Sequence, residues 1–176
     1  WRALPVPVIA TIHGNCFGAG IQLALAADIR IATPDSKLSV MEAKWGLVPD
    51  MSGMVTLREL LPMDVAKELT FTGRVLSGEQ ALDLGLVTHL AEDPAAKAEE
   101  LIAEMLTRSP DAIAAGKALI QDAWLADEAG ALAAERRWQR KLMGRKNQRI
   151  AAKRNAEIAQ SETGEASTPY EPRKLG

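Results

Sequence analysis

Cysteine is almost absent from this sequence. Its one thiol, Cys16, has no internal partner, which excludes a disulfide scaffold and points to a reducing compartment, so a cytoplasmic setting is the expectation. Aromatic residues make up only 4% of the chain, and the abundance of alanine and leucine favours helices over a β-sandwich. Histidine is scarce too. With two histidines and one cysteine in the whole chain, the H-x-x-C of His13 and Cys16 lacks the further ligands of a usual zinc site, and no metal is expected. Cys16 as a nucleophile lacks an evident base and His89 lies in a strand-like run, so both read as packing residues. No stretch approaches the roughly 18 to 20 uninterrupted apolar residues of a membrane-spanning helix, and no membrane partner is expected.

What is present is a hydrophobic fraction of 47%, enough for one sizeable core. The net charge of -2 hides an asymmetry. Residues 136–154 hold nine basic and no acidic side chains, while residues 1–135 hold 10 basic and 19 acidic ones. One segment is thus suited to meet anions or to sit against the acidic remainder. A solvated or subunit-packing face ranks ahead of nucleic-acid binding for it, because the acidic partners are in the same chain. Trp45, Trp124 and Trp138 are too widely spaced to suggest a base-stacking platform and read as core or subunit contacts.

The chain is organised around Pro7 to Asp28, PVIATIHGNCFGAGIQLALAAD. Val8, Ile9, Thr11 and Ile12 favour a short strand, Gly14, Gly18 and Gly20 permit a sharp turn with close backbone approach, and an apolar helix follows. The glycines are not spaced as a dinucleotide fingerprint, and no Lys-Ser/Thr follows as in a P-loop. A tight strand-to-helix crossing with no ligand is the plain alternative, whereas a helix start exposing its first N–H groups is the functional one.

Downstream, a strand over 28–32 implies a parallel crossover with the first. A third strand is expected over 37–40, a loop over 46–53 and helices over 53–61 and 63–71. Ser77-Gly-Glu-Gln80 reads as a capping box, and 86–91 as the last strand. Asp93-Pro94 and Ser109-Pro110 each place a capping residue before a proline at the first helical position. They open helices to about 108 and 125, and two more are expected over 127–143 and 144–160. Residues 161–176 read as a flexible tail.

Three segments, PVIATIHGNCFGAGIQLALAADIRIAT, MEAKWGLVPDMSG and LTFTGRVLSGEQALDLGLV, together resemble the crotonase (enoyl-CoA hydratase/isomerase) superfamily. The resemblance implies an α/β fold: a crotonase-like ββα spiral over residues 1–108, then a helical C-terminal trimerisation region over 109–160. Such chains usually carry a further segment ahead of this strand, so the sequence looks like the C-terminal part of one. The resemblance also implies an acyl-CoA thioester as substrate and a homotrimer or hexamer. No cofactor is implied beyond the coenzyme A of the substrate, and no nucleic-acid partner. In such an assembly basic residues of the C-terminal helices can meet the phosphates of a neighbouring subunit's CoA.

By the same resemblance, the N–H of Ala19 is one of two oxyanion-hole donors, and Gly18, Gly20 and Gly53 lie where substrate binds. Hydratases of the superfamily use two carboxylates. At those positions this chain has Gln22 and Glu42. A carboxamide cannot exchange protons near neutral pH, so two-carboxylate hydration is disfavoured, whereas one acid/base suffices for double-bond isomerisation. Asp50, eight residues beyond Glu42, matches an aspartate of the dienoyl-CoA isomerase-like branch. Glu42 and Asp50 are therefore the candidate acid/base residues and Gln22 a polar aligner. Each has a plain competitor: Glu42 as a helix cap, Asp50 as a turn residue, Gln22 as part of a solvated helix face. An acyl-CoA binding or assembly subunit without turnover is the alternative function.

Overall fold

A computed structural model of the chain describes residues 1–161 and 163–174. Its contacts form two units, one of residues 1–2 and 8–101, the other of residues 3–7 and 102–176. The division between them falls inside a helix, Pro94–Leu106.

In the first unit, β1 (Ile9–Ile12) pairs in parallel with β3 (Ile29–Ala32), Ile9 opposite Ile29, and β3 pairs in parallel with β6 (His89–Leu90). The parallel crossover read from the sequence is present, and α1 (Ala19–Leu25) lies within it. A second sheet was not foreseen. β2 (Asn15–Phe17) pairs in parallel with β4 (Lys37–Ser39), which pairs antiparallel with β5 (Leu76–Ser77). Gly14 (φ 64°) and Gly18 (φ 52°) bracket β2, so residues taken for a turn are a strand between two turns. Three residues are too few for an alternating pattern to show.

A 3-10 turn (Glu42–Trp45) follows β4, then α2 (Gly53–Leu60), α3 (Met63–Thr72) and α4 (Gly78–Asp83). The capping box is complete: Ser77 Oγ accepts from the Gln80 N–H and Gln80 Oε1 from the Ser77 N–H. Ile12, Ile21, Leu25, Leu38, Leu57, Leu69, Leu76 and Leu86 form the core of this unit. Fully burying one such side chain stabilises by about 1.5–3 kcal/mol. Arg30 is buried too, donating to the carbonyls of Leu86 and Ala27.

Asp93 caps α5 (Pro94–Leu106) through the N–H groups of Ala95 and Ala96. In the second unit Ser109 caps α6 (Pro110–Ala123) and Asp127 caps α7 (Glu128–Leu142), and α8 is Lys146–Gln160. Trp45 and Trp124 are exposed, 75% and 67%, so neither belongs to a core. Trp138 lies on α7 and its indole N–H donates to Asp122 of α6.

Residues 163–174, read as a flexible tail, have no helix or strand and are hydrogen bonded to α6 and α8. Asn147 exchanges bonds with the backbone of Glu171, and Asp111 accepts from the Lys174 N–H and from Asn147. Arg154 donates to the Thr168 carbonyl and lies over the Tyr170 ring. Positions 162 and 175–176 of the same stretch lie outside the described residues.

Candidate active site

The end of β4 faces the start of α1. The Gly18 N–H donates to the Ser39 carbonyl at 3.0 Å, and the Ser39 hydroxyl donates to the Gly73 carbonyl at 2.9 Å. One buried serine thus ties the glycine turn, β4 and the end of α3 together, three residues before Glu42. At Gly73 (φ 55°) a Cβ would sit 3.2 Å from the Lys44 side chain and 3.3 Å from the Met41 Cα, tighter than ordinary contact.

Glu42 opens the 3-10 turn and is 8% exposed. Its Oε1 accepts from Gln22 Nε2 at 2.6 Å, so it does not spend its side chain capping its own turn. Its Oε2 is buried with no hydrogen-bond partner among the described residues. Buried polar atoms are nearly always satisfied, and an exception calls for a reason such as a catalytic role. A Cβ on Gly18 would lie 3.5 Å from Glu42 Oε1, so the carboxylate stands beside the first residues of α1.

Gln22 is 1% exposed, which removes the solvated-face reading. Its Oε1 accepts from the Met51 N–H at 2.8 Å and the Gly53 N–H at 3.1 Å. Between those two, Ser52 takes a left-handed conformation (φ 64°), rare outside glycine. It turns the flanking N–H groups toward one acceptor. Glycine at 53 allows this approach, because a Cβ would stand 2.8 Å from Gln22 Oε1 and something would have to shift.

Ala19 is exposed, and the first helical bond of α1 runs from the Gln22 N–H to the Gly18 carbonyl. The N–H groups of Ala19, Gly20 and Ile21 precede it. Gly18, Gln22, Glu42 and Gly53 are thus brought together, with Ala19 at their edge. Asp50 is exposed and makes no side-chain hydrogen bond or ion pair among the described residues, and Gly20 is exposed with nothing near its Cβ direction. Sequence reasoning missed Met51, whose contribution is a backbone N–H, and Ser39 and Gly73. The glycine ending LTFTG was their only visible signal.

Residues 2–164 match the family described as enoyl-CoA hydratase/isomerase. The chain belongs to this family. It is 39% identical over 138 residues to the mitochondrial methylglutaconyl-CoA hydratase of Mus musculus, covering 75% of this chain and 44% of that one. The chain thus spans about half the length of the curated relatives it matches. An enoyl-CoA hydratase from Bacillus anthracis superposes with a TM-score of 0.86 at 27% identity, covering 96% of this chain and 64% of that one. A putative enoyl-CoA hydratase from Thermobifida fusca, solved in complex with acetoacetyl-CoA, superposes with a TM-score of 0.75 at 35% identity over 78% of this chain and 55% of that one.

The fold of this hydratase/isomerase family member is accordingly the crotonase-like spiral followed by helices. Its basic segment lies on α7 and α8 and meets acids of the same unit: Arg137 pairs with Asp122, Lys146 with Glu171 and Lys153 with Glu157. An apolar groove of about 390 Å³ between α2 and α3, lined by residues including Leu57, Met63 and Phe71, contains neither Gln22 nor Glu42.

Proposed function

We propose that the protein acts on an unsaturated acyl-CoA thioester through an enolate, with Glu42 as the acid/base and the Ala19 N–H as one donor to the thioester oxygen. The observation that carries this reading is the buried Glu42 carboxylate beside the glycine turn, one oxygen held by Gln22 and the other without a donor among the described residues. A fixed donor at the site of developing charge is worth several kcal/mol in such chemistry. Family membership supports the substrate class.

Isomerisation is preferred to hydration. The partner facing Glu42 is a carboxamide, which neither activates water as a base nor returns a proton. Asp50, exposed on its loop, is assigned a secondary role as proton partner. Assembly as a trimer or hexamer belongs to the same reading, supported by exposed Ile120, Trp124, Leu125 and Leu132 on and after α6 and on α7.

Assays of the protein for hydration of 2-enoyl-CoA and for isomerisation of 3-enoyl- or dienoyl-CoA test the proposal. The expected result is isomerisation exceeding hydration, with Glu42→Gln losing roughly 100-fold or more of it, the usual scale of an acid/base contribution. Unchanged turnover in Glu42→Gln overturns the role of Glu42. Affinity for CoA esters with no conversion supports instead a binding subunit.

A further inference from the structure

The three hydrogen bonds of Gln22 use both ends of its carboxamide. We propose that Gln22 is a positioning residue with two separable roles: its oxygen latches residues 51–53 against α1, and its N–H holds Glu42 Oε1, leaving Oε2 as the oxygen that takes the proton. The last clause rests on the function proposed above; the two roles themselves do not.

The orientation of the carboxamide follows from its neighbours. Two backbone N–H groups converge on one of its ends and a carboxylate oxygen meets the other, so only Oε1 toward Met51 and Gly53 and Nε2 toward Glu42 satisfies all of them. The missing side chain at Gly53 lets the backbone come within reach of that oxygen. A proton arriving at Oε2 breaks no hydrogen bond, whereas one arriving at Oε1 displaces the Gln22 donor.

No other common side chain of this size combines both roles. A carboxylate at position 22 would accept from both backbone N–H groups but, ionised, offers Glu42 no donor, and a methionine would do neither. The charged groups on the packed elements are few. The 3-10 turn carries Glu42 and exposed Lys44, and the loop carries exposed Asp50. α2 carries exposed Arg58 and also Glu59, which pairs with Arg2, while β2 offers only the partly buried Cys16. Glu42 is therefore the titratable group that a new carboxylate at position 22 would feel.

The test compares wild type, Q22E, Q22M and the swapped pair Q22E/E42Q in the full chain by melting temperature against pH and by amide exchange. In Q22E the Met51 and Gly53 amides stay protected. Its melting temperature falls progressively below wild type between about pH 4 and about pH 8, since two buried carboxylates in contact cannot both ionise. The sign is fixed: the introduced acid is held protonated in the fold, so its stability is intact at low pH and lost as pH rises. In Q22E/E42Q the donor runs in the opposite direction and the pH-dependent deficit disappears. In Q22M the two amides lose protection by several-fold to roughly tenfold, as for one lost hydrogen bond each.

A Q22E deficit that is the same at all pH values, or that persists in the swapped pair, overturns the hold on Glu42. Unchanged Met51 and Gly53 protection in Q22M overturns the latch, and if Q22M does not fold, Q22E and the swap decide. Absence of acyl-CoA turnover would defeat the proposed function while leaving these readouts as they are.

Discussion

Gly53 approaches Gln22 so closely that a methyl group on its Cα would stand 2.8 Å from the glutamine Oε1, and 3.0 Å from Pro49 Cβ. Gln22 cannot simply withdraw, because the same oxygen is held by the Met51 and Gly53 N–H groups and its amide by Glu42. Gly53→Ala should therefore cost about 1–3 kcal/mol, the range of core overpacking. Urea unfolding of the variant measures it. A loss below about 0.5 kcal/mol, typical of a neutral surface change, would mean that the α2 start has more freedom than these distances allow.

Two glycines two residues apart should respond with opposite sign. Gly18 has φ 52° and ψ -118°, a combination open to glycine, yet a Cβ there would meet Glu42 at only an ordinary 3.5 Å. The cost of Gly18→Ala is thus conformational, about 1–3 kcal/mol. Gly20 is helical and exposed with nothing within 4 Å of a Cβ, so Gly20→Ala should stabilise by about 0.5–1 kcal/mol. Thermal denaturation of the pair settles it, and destabilisation by Gly20→Ala would contradict the open space described.

The helices were legible because their ends are written in short range. Ser77, Asp93, Ser109 and Asp127 each bond an N–H two or three residues on, and such signals do not depend on the rest of the fold. β2 and β5 were not, since strands of three and two residues exist only through partners far along the chain: Leu38 opposite Cys16 on one side and Leu76 on the other. At the site, Glu42 and Gln22 were visible as residue types in a familiar spacing. Their mutual bond was not, because it joins positions 20 apart. The Met51 contribution is backbone, and no side-chain pattern announces it. Of the two readings of Trp45, core or subunit contact, only the first is removed: tryptophan favours burial, and here it lies on an exposed turn.

Ser52 holds a left-handed backbone (φ 64°) without being glycine, a conformation that costs an ordinary residue about 1–2 kcal/mol. Its conformation turns the Met51 and Gly53 amides toward Gln22. Ser52→Gly should remove that strain while adding about 0.5–1 kcal/mol of unfolded-state entropy, leaving stability equal to or slightly above wild type. Ser52→Val should lose about 1–3 kcal/mol. Guanidinium titrations compare them, and a Ser52→Gly variant as unstable as Ser52→Val would show that the serine side chain, not the backbone, supports the loop.

Acid should release the C-terminal segment before the helices. Glu157 on α8 accepts from the Thr168 hydroxyl and from the Thr168 and Ser167 N–H groups, and these donors, the hydroxyl foremost, hold its carboxyl below the ordinary glutamate range. Glu171 is lowered in the same way, chiefly by its bond from Lys146. A lowered folded value means that the unfolded or detached segment binds more protons. The attachment is therefore fully present above the ordinary value of about 4.3 and is lost as pH falls through the folded one. Exchange of the Ser167 and Thr168 amides, corrected for intrinsic rate, should accelerate between about pH 5 and about pH 3, while α8 amides stay protected. Glu157→Gln should make the segment looser at neutral pH and remove most of its acid response. Equal protection of Thr168 at both ends of that range in wild type would mean that Arg154, through the Thr168 carbonyl and the Tyr170 ring, holds the segment without Glu157.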